Sequence, residues 1–173
     1  MKFMLLLLLS LSFSVNAKVE TVEKVELDRY LGKWYEIASY PQWFQKDCTA
    51  VSAEYSLKKS GNIRVINSCR KFSPDGELKI AKGTARVKDK ETGAKLSVQF
   101  FLPFIRIPFL EGKYWVIMLD EQDYQYSVVS DPKMETLWIL SRTKVMDEYL
   151  YQTILDELKY KGYDLSKLKK MVH

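Results

Sequence analysis

The chain has very little of the residue on which hydrolytic triads and metal sites most depend. Among 173 residues there is a single histidine, His173, at the C-terminal end. A terminal residue is expected to fray, so neither a Ser-His-Asp triad nor a histidine metal site can be assembled from it. Phosphate-cradling and dinucleotide-binding fingerprints are missing as well. Neighbouring carboxylates such as Asp120 and Glu121 sit on a turn, where a solvated surface is their ordinary role. No catalytic residue, metal site or cofactor is therefore expected. Lysine and arginine never form a block longer than two residues. The formal charge of +5 is thus a dispersed excess rather than a nucleic-acid patch, and it leaves room for weak attraction to anionic membrane surfaces.

Internal repeats, low-complexity tracts and Pro/Gly-rich linkers are also missing, so residues 18–173 read as one domain. The one long apolar stretch lies at the start. Lys2, the run Phe3 to Leu9 and the sequence Ser14-Val15-Asn16-Ala17 read as a secretory signal peptide over residues 1–17, cleaved before Lys18. Its apolar run is shorter than the roughly 20 residues a membrane span needs. The residue directly after the cleavage point is Lys18 and not a cysteine that could carry a lipid anchor, so a secreted or periplasmic protein is expected. The chain has only two cysteines, Cys48 and Cys69, and export places them in an oxidising compartment.

From Gly32 onward, short runs of alternating apolar and polar residues recur between turn residues, the mark of a meander sheet. Eight runs are expected: 34–40, 49–57, 62–70, 80–88, 95–101, 114–120, 126–130 and 136–142. Gly61 suits the turn between the second and third because it takes positive φ cheaply. The period then changes. Between Asp147 and Lys161, the residues Tyr149, Leu150, Ile154, Leu158 and Lys161 fall near helical spacing, with Asp147 placed as N-cap and Gly162 just past the end. Eight antiparallel runs could form a sandwich or a barrel. Closure removes exposed edges and is favoured, giving an all-β up-and-down barrel with one C-terminal helix packed outside.

In the hairpin of the second and third runs, residue 48 falls opposite 69 or 70. Cys48 and Cys69 are thus expected to bridge the hairpin base, for about 3 kcal/mol in the chain-entropy view.

The segment Gly32-Lys33-Trp34-Tyr35-Glu36-Ile37-Ala38 resembles the G-x-W-Y opening of lipocalins. Trp138-Ile139-Leu140-Ser141-Arg142 resembles the eighth-strand arginine motif of the same family. The similarity runs through nearly all of the mature chain and is nearest to the bacterial outer-membrane lipocalins and to apolipoprotein D. Where the family usually has T-D-Y, this chain has Ser130-Asp131-Pro132. The resemblance implies a ligand-binding barrel. It also implies that Gly32, Trp34 and Arg142 form a structural motif, with the indole meeting the guanidinium at one barrel end.

An eight-stranded barrel is wide enough to hold one small ligand. Strand parity turns Val51, Ala53, Tyr55 and Leu57 one way, together with Ile63, Val65, Asn67, Leu96, Val98, Phe100, Trp138 and Leu140. Glu36 and Ala38 share the face of Trp34. The resemblance points to Tyr55, Asn67, Phe100, Trp138 and Leu140 as pocket residues, and plain core packing is the alternative for each. Residues 114–119 are apolar on both faces and leave their inward face open.

The expected function is non-catalytic binding and transport of a small hydrophobic ligand such as a fatty acid or lysophospholipid. One apolar connection, residues 101–110, stands apart, broken by Pro103 and Pro108. Through Phe104, Ile105 and Phe109 it could touch a membrane surface, and it could equally close the mouth or pair two copies. The rival reading is an envelope interaction protein that dimerises or docks through this loop. An isomerase-like or peroxide-reducing enzyme on the same barrel is a third, since fold does not fix function.

Overall fold

A computed structural model describes residues 19–100, 102, 105 and 107–173. The expected signal peptide, and Phe104 of the apolar loop, lie outside the described residues.

Eight antiparallel strands follow one another round the wall: β1 (Gly32–Ser39), β2 (Cys48–Leu57), β3 (Ile63–Lys71), β4 (Leu78–Val87), β5 (Lys95–Gln99), β6 (Gly112–Leu119), β7 (Tyr126–Ser130) and β8 (Leu137–Ser141). Each pairs with its neighbour in sequence, and β1 pairs with both β2 and β8, which closes the barrel. Closure leaves no long unpaired edge to aggregate. The short helix α1 (Leu27–Tyr30) lies across the end where β1 begins. The other end is the mouth, where the β1–β2, β3–β4 and β5–β6 connections lie.

The helix α2 (Glu148–Tyr160) packs outside. The Asp147 side chain accepts from the Leu150 amide at 3.0 Å and so caps it, and Gly162 follows at φ +87°. Its buried face is Tyr151, Ile154 and Leu158. Tyr149, expected on that face, is 84% exposed instead. The helical period carries Tyr151, Ile154 and Leu158 on a shared stripe, and Tyr149 falls outside it.

Two β-bulges make the seat for this helix. In β1 the pairing with β8 shifts between Glu36 and Ala38, and in β6 the pairing with β7 shifts between Val116 and Met118. Each shift breaks the strict in–out alternation. Ile37 and Ile117 face outward by alternation, and the shifts turn Ala38 and Met118 out beside them, so that these residues join Val128, Leu137 and Ile139 beneath Tyr151, Ile154 and Leu158. Tyr114 and Val116 belong to the separate interior cluster, which settles the inward face of β6.

The C-terminal tail is docked, contrary to the frayed end expected for it. After a 3₁₀ turn at Leu165–Lys167, a ninth strand, β9 (Lys169–Lys170), pairs with Ala38 and Ser39 of β1. Above Tyr35 the edges of β1 and β2 part, and the tail fills the seam. Met171 N donates to Ile37 O at 2.8 Å and Ala50 N donates to Val172 O at 2.6 Å. Otherwise unpaired backbone groups of two strands are satisfied this way.

Cys48 and Cys69 form a disulfide with Cα atoms 5.5 Å apart. A register shift between Thr49 and Ser52 places Cys48 opposite Lys71, so the bridge runs diagonally across the β2–β3 hairpin. Such a bond persists in oxidising compartments and marks an extracytoplasmic protein.

Candidate ligand-binding site

The interior is built in levels, from the closed end upward. At the base, Trp34 is fully buried, and its Nε1 donates to the Tyr30 carbonyl at 2.8 Å. The Arg142 guanidinium carbon lies 3.7 Å from the ring centre. Arg142 also donates to three carbonyls, from Nε to Tyr124, from Nη1 to Lys33 and from Nη2 to Arg29. Gly32 stands beside it at φ +91°, a backbone conformation that a side chain would strain.

Above the indole lies a phenol cluster. The Tyr114 hydroxyl bonds those of Tyr30 at 2.9 Å and Tyr55 at 3.1 Å, and the Tyr30 hydroxyl also meets Ser127 Oγ at 2.9 Å. Burial pushes the Tyr30 phenol up to about 12, opposed by its bonds to Ser127 and Tyr114. The Tyr55 and Tyr114 phenols are raised by the same desolvation. Between these rings, Leu27, Ile63, Ala85 and Leu96 remains a gap of about 20 Å³, room for about one water. This end of the barrel is a packed plug.

The next level is polar. Glu36 follows Trp34 on the inner face, and its charge contributes to raising the Tyr55 phenol. Only 3% exposed, it accepts from Ser39 Oγ at 2.6 Å and from Gln45 Nε2 at 2.8 Å. Trp138 Nε1 donates to Gln45 Oε1 at 3.4 Å and extends the chain of bonds. Desolvation raises the Glu36 carboxyl above its ordinary value, and the bonds from Ser39 and Gln45 oppose it. Facing inward as well is Asn67, which pairs with Ala53, itself the partner of Trp34. Its Oδ1 is buried with no partner among the described residues. Nearer the mouth, the Phe100 ring lies where a Cβ on Gly83 would be 2.9 Å away, so glycine there makes room for the ring.

Of the residues expected to line the pocket, Glu36, Tyr55, Asn67, Trp138 and Leu140 share this inner wall, with Phe100 beside its upper edge. Ala38 does not. The bulge at Ile37 carries it to the helix-facing cluster. Sequence reasoning missed Tyr30, Tyr114, Ser39, Gln45 and Ser127. Tyr114 lay in a run that was apolar on both faces. Ser39 follows a bulge, and Gln45 sits on a 3₁₀ turn (Trp43–Gln45), neither of which obeys strand parity.

The apolar connection is held at both ends from outside the barrel. Gln99 Nε2 donates to the carbonyls of Leu102 at 2.9 Å and Ile105 at 2.6 Å, while its Oε1 accepts from Ile107 N at 2.9 Å. Glu111, at the far end, pairs with Arg86 at 3.3 Å and Lys88 at 2.6 Å. Ile105 and Phe109 remain exposed.

A family model described as a lipocalin-like domain matches residues 25–173. Temperature-induced lipocalin-1 of Arabidopsis thaliana is 39% identical over 156 residues, covering 88% of this chain and 82% of that protein. The outer membrane lipoprotein Blc of Vibrio cholerae is 38% identical over 151 residues, covering 87% and 84%. Apolipoprotein D of Mus musculus is 33% identical over 151 residues, covering 84% and 76%. Among solved structures, insecticyanin from Manduca sexta superposes with a TM-score of 0.69 at 22% identity, covering 90% of this chain and 84% of that one. With the barrel, the outer helix and the Trp34–Arg142 contact in place, these matches mean that the chain belongs to the lipocalin family.

Proposed function

We propose that the protein is a non-catalytic, exported carrier of a small amphiphile, a fatty acid, lysophospholipid or similar lipid, held in the upper half of the barrel. The observation that carries this reading is the interior itself. Val65, Trp138 and Leu140 of the interior cluster, with Phe100 at the upper edge, share the inner wall with buried polar atoms on Glu36 and Asn67. Such a wall takes up chain carbons, each buried CH₂ contributing about 0.8 kcal/mol, and the polar atoms orient the ligand. Lipocalins generally bind small hydrophobic ligands. Native mass spectrometry of protein purified without detergent is expected to find a co-purified lipid. Protein that carries none and takes up no added single-chain amphiphile would overturn the proposal.

A second observation favours contact of the mouth with a membrane surface. Trp43, Phe72 and Phe109, on three separate mouth connections, are 87%, 78% and 85% exposed. Aromatic side chains grouped at one end suit a lipid interface. Replacing Trp43 and Phe109 with Ser should weaken sedimentation with vesicles. Unchanged vesicle binding together with loss of a dimer in ultracentrifugation would favour the pairing of copies instead.

A further inference from the structure

The barrel interior is asymmetric in its hydrogen-bonding character. Glu36 carries a carboxylate on the inner face, bonded among the described residues by the neutral donors Ser39 and Gln45. A carboxylate offers about four lone-pair sites, so capacity remains on both oxygens. No lysine or arginine forms an ion pair with it among the described residues. Asn67 Oδ1, also an acceptor, is buried with no hydrogen-bond partner among the described residues.

Arg142 at the closed end and Lys71 at the mouth are committed elsewhere. Arg142 is stacked behind Trp34 and gives its N–H groups to three carbonyls. Lys71, at the mouth, donates to the Lys46 carbonyl and lies 3.9 Å from Asp47. A carboxylate-headed ligand entering this space would be desolvated next to a like charge with no counter-ion, the costly arrangement for both groups. An ammonium would find a buried opposite charge and an unfilled acceptor.

We infer that the level above Trp34, formed by Glu36 and Asn67 with Trp138 beside them, receives the cationic, hydrogen-bond-donating end of a single-chain amphiphile such as a long-chain amine. The inference rests on the carrier reading above and names the class of polar end that the carrier selects. Among lipids of equal chain length, the ammonium-headed one is preferred, the alcohol follows and the carboxylate is last.

The test is displacement of a fluorescent apolar probe from the full-length protein by hexadecylamine, hexadecan-1-ol and hexadecanoate, each below its micelle-forming concentration. Hexadecylamine should displace the probe at an about tenfold lower concentration than hexadecanoate, equivalent to about 1.4 kcal/mol. In Glu36→Gln that ratio should fall to about one. In Asn67→Asp, which adds a second carboxylate, it should rise beyond the parent value, a gain that misfolding does not produce. Equal or tighter binding of hexadecanoate to the parent protein would overturn the headgroup assignment and leave the carrier standing, as would an unchanged ratio in both variants. Failure of all three compounds to bind would overturn the carrier and this inference together.

Discussion

Arg142 sets its guanidinium carbon 3.7 Å from the centre of the Trp34 ring, so the last strand of the barrel meets the first through a cation–π contact. The same guanidinium ties the carbonyls of Tyr124, Lys33 and Arg29, and so fastens the end of β8 to the β6–β7 turn, to β1 and to α1. Arg142→Ala should lose about 2–4 kcal/mol from the stack and the orphaned carbonyls. Arg142→Lys should recover less than half of that, since a lysine cannot reproduce the planar fork. Trp34→Ala, at a fully buried site, should lose about 3–5 kcal/mol. Urea unfolding midpoints would measure all three, and an unaltered midpoint in Arg142→Ala would contradict the fastening role.

The disulfide closes the β2–β3 hairpin at the mouth, across a sequence separation of 21 residues. Cys48→Ser combined with Cys69→Ser should cost about 3 kcal/mol, by freeing the unfolded chain. Denaturant curves recorded with and without reductant check this. The parent should shift on reduction and the double variant should not.

Buried phenols make the protein sensitive to alkali. An unfolded tyrosine titrates at its ordinary value of 10.0, while Tyr30 is pushed up to about 12 by burial. The unfolded chain therefore releases the proton first as pH rises. Stability from this group is complete below about pH 10 and is lost through about pH 12. Tyr55 and Tyr114 act in the same direction. Tyrosinate absorbance should show three phenols ionising only as the fold is lost. Early ionisation of all eleven tyrosines in the folded protein would contradict the buried cluster.

Glu36 works at the other end of the pH scale. Its carboxyl is raised above 4.5 by desolvation, so the folded protein holds that proton more tightly than the unfolded chain does. The corresponding stability is present below pH 4.5 and lost as pH rises through the folded-state value. Lipid-free Glu36→Gln, which is neutral at every pH, should therefore melt higher than the parent at neutral pH. The gap should close in acid. A variant that melts lower at neutral pH, or a gap that widens in acid, would contradict the desolvated carboxylate.

The tail strap is open to a similar check. His173 Nε2 lies 2.7 Å from the Glu36 carbonyl, and the tail bonds both Ile37 and Ala50. Removing residues 169–173 should cost about 1–3 kcal/mol in lost backbone bonds. It should also speed amide hydrogen exchange at Ala50. Unchanged exchange there would mean that the seam between β1 and β2 is closed without the tail.

The sequence was sufficient for whatever depends on local pattern. Alternating runs with turn residues between them specify strands and their order. Asp147 and Gly162 mark the ends of the helix, and the G-x-W-Y and W-I-L-S-R segments identify the family. Two cysteines on facing strands specify their bridge even though a register shift moved Cys48 opposite Lys71. Tertiary structure alone decided where parity fails. The bulges at Ile37 and Ile117 have no local signature, because their reward is an apolar seat for a helix more than a hundred and about thirty residues away, respectively. One of those bulges sends Ala38 out to the helix and keeps Ser39 beside Glu36. The polar level of the interior follows from that packing choice: a period of two predicts side-chain direction only while the ladder is unbroken, and burial against a distant element is what breaks it.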